Sequence, residues 1–344
     1  MHKRRLNELT IQGLIQPDGP ILIKSGLESG ADPTLPAMNF VRSRHPRNGQ
    51  TTIYLPGSSL KGTIRSHVER IIQTVHPRSN AAEAAHICCD PFSDDSCGKR
   101  VEEINKMRES QGKDRLSTAA EYRELCLACR IFGHMSHASH FVSTDAYPLE
   151  PIDQLPMRHG VAINRFSGAA ERRALFEMEV ADRGSFGLRI MLTNFELWQV
   201  GLLALALRDM NQGRLLIGFG KSRGLGKVSL SLTHLEVGYP GQFDLSFDPA
   251  QNLVGAASLA PDMQEDYDWV SGEDRIDLPE GGRVEEEDLQ WGRPNVKYGT
   301  DATGEALKEL AEKDLEAASD QIWKVLATTV PAWASYQKAE QNDG

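Results

Sequence analysis

The chain has 344 residues, 40% hydrophobic and 7% aromatic, with a formal net charge of −10 at pH 7. That is enough apolar material for one elaborated domain or two modest ones. No apolar run is long enough to cross a membrane and no signal-peptide pattern is present, so a cytoplasmic protein is expected. The charge is unevenly placed. Residues 241–344 hold 8 Lys and Arg against 23 Asp and Glu, whereas residues 1–240 hold 30 against 25. A mildly basic body with an acidic appendage suits a polyanionic partner.

Residues 6–23 alternate loosely around Pro17-Asp-Gly-Pro20, the pattern of two short strands about a turn. A glycine-rich loop and a basic, proline-containing loop lead from there to Tyr54-Leu-Pro-Gly-Ser-Ser-Leu-Lys-Gly-Thr-Ile-Arg65. Residues 51–55 read as a strand and Pro56-Gly57 as its break. Ser58 or Ser59 is expected to cap a helix whose apolar positions (Leu60, Ile64, Val68, Ile71, Ile72, Val75) recur at the helical period. Lys61 and Arg65 lie on one side of its first turns. A helix N-terminus with two hydroxyls and two cations is an anion site, with phosphate as the expected ligand. A nucleotide-triphosphate loop is excluded, because Lys61 precedes Gly62 instead of following it. The plainer alternative is a capped helix with two solvated cations.

All five cysteines fall between positions 88 and 129. In a reducing compartment such clustering points to metal rather than to disulfides. The knuckle Cys126-Leu-Ala-Cys129, with Cys89 and Cys97, supplies four thiolates for a tetrahedral structural zinc, and Cys88 or His86 are substitutes. Unligated loop thiols are the alternative. Residues 99–120 are highly charged and read as a flexible excursion or a surface helix. His134, His137 and His140 follow; with no carboxylate to complete a metal set, they read as loop residues or RNA contacts.

Residues 159–168 and 174–180 read as a hairpin, 186–192 as a further strand and 196–210 as a buried helix. Next come glycines 218, 220, 224 and 226, with Lys221, Ser222, Arg223 and Lys227 between and after them. Glycines let backbone N–H groups approach an anion, and the cations add charge. The spacing is not the dinucleotide fingerprint and opens no helix. A phosphate backbone is the expected ligand, and a simple hairpin bend is the alternative. Beyond residue 240, residues 262–288 read as an acidic loop or as disorder, and 303–329 as a helix.

Together these motifs resemble the RAMP superfamily, the repeat-associated proteins of CRISPR systems. Within it they resemble backbone subunits of type III, or type III-derived, effector complexes. The resemblance rests on Tyr54-Leu-Pro-Gly-Ser-Ser-Leu-Lys-Gly with Arg65, Cys126-Leu-Ala-Cys-Arg-Ile-Phe-Gly133, Ala162-Ile-Asn-Arg165 and Gly218-Phe-Gly-Lys-Ser-Arg-Gly-Leu-Gly226. It covers residues 6–240.

The resemblance implies an α+β fold with a ferredoxin-like, RRM-type core in residues 1–240. A zinc-binding insertion is implied near residues 80–145 and a thumb β-hairpin near 155–185, with an acidic C-terminal helical extension over 241–344. It also implies a guide RNA (crRNA) held by Ser58, Ser59, Lys61, Arg65, Lys221, Ser222 and Arg223. Arg165 and Phe166 would wedge between bases of the duplex with the complementary target RNA. Other effector subunits would stack head to tail on the guide.

Cutting members of the family place an aspartate before the Leu-Pro-Gly stretch, supporting cleavage with a divalent metal such as Mg. Ala37 stands at that position here, and Asn164 stands at a second position where aspartate is frequent. Asp32 is a nearby carboxylate. The implied cleavage site therefore reads as disabled or substituted. Two other readings stand beside this one. The first is a stand-alone ribonuclease that processes precursor guide RNA, with His134, His137, His140 or His159 as acid–base groups. The second is a zinc-stabilised protein adaptor.

Overall fold

The computed structural model describes residues 4–24, 38–76, 87–152, 154–241, 245–303 and 306–342. Its fold is α+β, organised on a large antiparallel sheet. The long strand β1 (Glu8–Pro17) lies at its middle, because Leu9, Ile11 and Ile15 alternate onto a buried face. β1 pairs on one side with β7 (Phe186–Thr193) and on the other with β8 (Val228–Gly238). β4 (Phe141–Ser143) extends the sheet beyond β7. β12 (Asn295–Gly299) and β11 (Arg283–Val284) extend it beyond β8, giving the order β11-β12-β8-β1-β7-β4.

Helix α1 (Gly57–Val75) packs on β4 and helix α5 (Leu197–Asn211) on β8, and the two helices touch. His67 on α1 meets Asp209 on α5, Nε2 to Oδ2, at 2.7 Å. The start of α1 explains its Pro-Gly. A Cβ at Gly57 would lie 2.2 Å from the Ser143 carbonyl oxygen, so only glycine fits where the helix abuts β4. Neither serine caps it, contrary to expectation. The N-cap is Pro56, and the Gly57 N–H donates to the Asp145 carboxylate at 2.8 Å. A carboxylate from residue 145 thus takes part of the helix-end field that was assigned to phosphate.

Between α1 and β4 lie helices α2 (Cys97–Ser110), α3 (Thr118–Arg123) and α4 (Leu127–Phe132). The charged stretch after Cys97 is a surface helix, burying only Cys97, Val101 and Asn105. Strands β5 (Met157–Ile163) and β6 (Ala170–Glu179) pair with each other and with no other strand, as a separate hairpin. A short ribbon, β2 (Arg42–Arg44) and β3 (Thr51–Ile53), precedes α1.

The acidic segment is folded onto the body. Beyond β12 in the main sheet, β9 (Asn252–Val254) pairs with β10 (Arg275–Asp277). Residues 262–288, expected as loop or disorder, carry helical turns at Pro261–Met263 and Gln264–Tyr267 as well as β10 and β11. The reason is aromatic. Tyr267 and Trp269 are buried, stacked on each other at 5.2 Å, and Tyr267 abuts Tyr122. The last helix, α6 (Glu312–Asn342), starts later and runs further than the expected 303–329. It crosses α5 so closely that a Cβ at Gly201 would lie 2.4 Å from the Thr329 carbonyl oxygen. Trp198 stacks on Tyr336 at 4.6 Å beside that crossing. Among the described residues, no helix is long and apolar enough to cross a membrane.

Candidate nucleic-acid interface and metal centre

The four cysteines chosen from their spacing converge. Ligand atoms of Cys89, Cys97, Cys126 and Cys129 all lie within 4.8 Å of one another, and all four side chains are buried. The Cys89 sulfur is 3.7 Å from that of Cys129 and 3.6 Å from that of Cys126. Tetrahedral zinc with Zn–S bonds of about 2.3 Å needs sulfurs about 3.8 Å apart, so the donor set and its size both fit zinc. Cys88 is buried outside the set, its sulfur 3.7 Å from Gln73 Nε2. His86 lies outside the described residues.

Two cations sit against the sulfurs. Arg65 Nη2 donates to Cys129 Sγ at 3.4 Å, and Arg100 Nη2 to Cys97 Sγ at 3.5 Å. The Cys126 backbone N–H also donates to Cys97 Sγ, at 3.2 Å. The thiols share their protons unequally. Hydrogen bonds from Cys126 and then Cys129 push Cys89 down, while hydrogen bonding with Cys126 and Cys89 pushes Cys129 up. A metal ion held by these four sulfurs would draw all of them to thiolate, and the two guanidiniums would offset the resulting excess negative charge.

This placement corrects the role expected of Arg65. It was assigned to phosphate, but its guanidinium turns inward, to Glu69 Oε1 at 2.8 Å, the Gly133 carbonyl at 3.0 Å and Cys129. It ties α1 to the cysteine cluster. Arg100, three residues after Cys97 on the same helix face, was missed by sequence reasoning; its spacing was the available signal. Arg130, from the Cys-Leu-Ala-Cys-Arg stretch, is buried over the Tyr122 ring and reaches Asp268 at 2.9 Å.

On its other side α1 faces the glycine loop across a groove of about 400 Å³. Ser59, Gly62, Thr63 and Ser66 line one wall and Gly218, Phe219 and Lys221 the other, with Lys24 at the end. Among the described residues, no acidic side chain lines it. The two motifs singled out for phosphate thus share one cleft. Gly62, Thr63 and Ser66 were not foreseen, although small residues recurring opposite the apolar face of α1 are a readable sign. A Cβ at Gly62 would meet nothing within 4 Å, so the wall is open there. Ser58 and Lys61 lie on the neighbouring side of the helix.

The glycine loop works differently from the expectation of free N–H groups. The Phe219 N–H donates to the Leu22 carbonyl at 2.7 Å and the Gly226 N–H to the Pro20 carbonyl at 2.9 Å. Gly218 and Gly226 have φ of +72° and +102°, each with a carbonyl within 2.4 Å of a would-be Cβ. Their lack of a side chain serves backbone crossing. Charge is carried by the 3-10 turn Lys221–Arg223, which buries none of its residues. The Arg223 guanidinium lies 5.2 Å from the Phe176 ring of β6 and 5.7 Å from Phe219. Partial desolvation by neighbouring groups and the charge of Arg70 lower the Lys221 pKa, and partial desolvation and Arg65 lower that of Lys61. Like charges so crowded favour an anion.

The hairpin projects apolar groups into solvent. Phe166 is 103% exposed at its tip, with Ile163 at 65% and Leu175 at 67%. Arg165 is exposed beside it. Asn164 shapes the tip. Its Oδ1 accepts from the N–H of Phe166 and of Ser167, and its Nδ2 donates to Glu171. At the hairpin base the Glu179 N–H donates to the Met38 carbonyl, and the Glu179 carboxylate takes a two-pronged bond from Arg42. Ala37 and Asp32 lie outside the described residues. His137 and His140 are buried against Tyr122, whereas His159 is exposed on β5.

The RAMP superfamily model matches residues 16–229, more than half of the chain. The protein belongs to that superfamily, whose CRISPR association points to an RNA-binding role. No curated protein matches the chain.

Proposed function

We propose that the protein is a guide-RNA-binding backbone subunit of a CRISPR effector ribonucleoprotein. The observation that carries this reading is the groove that joins Ser59 of the Leu-Pro-Gly helix to Lys221 of the glycine loop, whose described lining holds two lysines and no acidic residue. Such a cleft tracks a phosphate backbone without reading bases. Strands β1, β4, β7 and β8 with helices α1 and α5 follow the β-α-β-β-α-β order of a ferredoxin-like core, with spatial order β8-β1-β7-β4.

In this reading the β5–β6 hairpin is the thumb, and Phe166 with Arg165 kinks the guide–target duplex. Subunits stack head to tail along the guide. The cysteine cluster holds a structural zinc that fixes α1, through Arg65, against the insertion. The cleavage centre is disabled by Ala37, where a metal-supporting aspartate is expected, and Asn164 does not supply the lost charge. Residues 241–344 brace the RNA-binding body.

Co-expression with a guide array and the neighbouring genes tests the reading. A discrete guide-sized RNA on a denaturing gel, reduced in Lys221→Gln, is expected. Protein that assembles with its partners yet carries no RNA would overturn it. Ala37→Asp is then expected to restore Mg-dependent cleavage of a complementary target. The adaptor reading needs point variants for its test, since truncation at 241 would strip β12 from β8 and α6 from α5.

A further inference from the structure

A second cavity, of about 380 Å³, lies apart from the groove and from the cysteines. Its floor is the face of β1 and β7 opposite the one that buries Ile11, Leu188 and Ile190. Gln12 and Arg189 are partners across that ladder, and Gly187 lies two residues from Arg189 on the same face. The β2–β3 ribbon forms one wall, with His45, Arg47 and Thr52, and residues 145–151 form another. The volume falls within the range of small-molecule sites, about 300–1,000 Å³.

Three features describe the ligand. Thr52 lines the cavity and is 2% exposed, and its hydroxyl has no hydrogen-bond partner among the described residues. Buried hydroxyls are nearly always paired, so this one has bonding capacity left for a group that reaches the cavity wall. Among the described residues, His45, Arg47 and Arg189 line the cavity against one carboxylate, Asp145, which is engaged by the Gly57 N–H; Lys308 also lines it but pairs with Glu150 at 3.5 Å. Tyr54 and Tyr147 stack at 5.3 Å, and His45 closes on Tyr147 at 5.3 Å, a run of rings that ends at the cavity. The His45 Nδ1 accepts from the Arg47 N–H, which holds the ring in place.

We propose that this cavity is a nucleotide-binding pocket, separate from the guide groove, that takes one base together with its phosphate. The phosphate lies toward Arg189 and Arg47, and the base extends the ring series while pairing with the Thr52 hydroxyl and the Gln12 amide. A bare anion would use the arginines and leave the rings and Thr52 idle. The same chemistry is offered by a free mononucleotide and by a single nucleotide of a strand. The proposal does not rest on the guide-groove reading.

Titration calorimetry of the full chain with adenosine 5′-monophosphate and uridine 5′-monophosphate tests it. Thr52→Val keeps the shape and removes an unpaired hydroxyl, so it is expected to fold at least as stably while binding about fivefold more weakly. Arg189→Gln is expected to lose about tenfold or more. Gly187→Val, a residue suited to a strand, fills the floor and is expected to abolish binding. Lys106→Gln, on the exposed face of α2, is expected to bind either nucleotide as the parent does. No binding by the parent, or equal binding by the three pocket variants, would overturn the proposal, as would inorganic phosphate binding as tightly as the nucleotides. Competition by pentauridylate would assign the nucleotide to a strand; nucleotide binding without such competition would assign it to the free pool. Both confirm the pocket. A guide-binding failure with the pocket intact would count against the groove alone.

Discussion

Arg65 of the Leu-Pro-Gly helix donates to the sulfur of Cys129 at 3.4 Å, which makes the motif helix and the cysteine cluster one mechanical unit. Ser59, Gly62, Thr63 and Ser66, on another face of that same helix, form one wall of the groove. Holding the cluster therefore holds the groove.

Arg65→Gln is expected to loosen the metal. Groups that hydrogen-bond to metal ligands typically account for 10- to 100-fold in affinity, so about tenfold faster zinc loss to a chromogenic chelator is the expected result. Unchanged competition would refute the assignment of Arg65 to the cluster. Complete zinc removal is expected to loosen residues 87–132 first, read as accelerated amide exchange there, since Cys89, Cys97, Cys126 and Cys129 all lie in that segment.

Gly62→Ala separates fold from function. The added methyl meets no atom within 4 Å, and alanine is a better helix former by about 0.5–1 kcal/mol, so the melting temperature is expected to hold or rise. Affinity for fluorescent single-stranded RNA is expected to fall, and to fall further in Gly62→Leu. An RNA affinity indifferent to both would place the strand elsewhere.

Lys221→Gln is expected to weaken all RNA sequences alike. If Lys221 neutralises one phosphate, the slope of log affinity against log salt shrinks by about 0.7 for a single strand. An unaltered slope would remove Lys221 from the backbone contacts.

A buried acid pair joins the acidic segment to α5. Asp274 accepts from the Leu197 N–H at 3.1 Å, and Glu196 from the Val270 N–H at 2.9 Å. Burial, with the charge of Asp274 adding, raises the Glu196 pKa to about 8; burial raises that of Asp274 to about 7. Folded pKa values above the unfolded range mean the native state holds these protons more tightly. Their stabilising contribution is complete below the ordinary carboxylate range, about pH 4, and is lost as pH rises through 7 and 8. The denaturant midpoint of the parent is expected to drop between about pH 4 and pH 8, and Glu196→Gln is expected to drop less. Parallel curves for the two proteins would contradict this.

Much of the local structure was written in the sequence by itself. The Pro-Gly break, the apolar period of α1, the wholly apolar α5 and the Cys-x-x-Cys knuckle are short-range patterns, and short-range patterns fix helices, turns and ligand identity directly. Between the adjacent Cys88 and Cys89 the sequence left a substitute open, and the two sulfurs lie in different neighbourhoods. Only the tertiary structure decided what each polar group faces. Arg65 and Lys61, four residues apart, read as a pair, yet a few tens of degrees around the helix sent one to the sulfurs and left the other outside. The helix cap came from Asp145, 88 residues away, where no local pattern points. Residues 262–288 read as loop because their charges outnumber their apolar residues; they fold because Tyr267, stacked on Trp269, meets Tyr122 of the body, and the last helix docks because Trp333 and Tyr336 meet Trp198. Burial depends on contacts between distant segments, and those are settled only when the chain closes on itself.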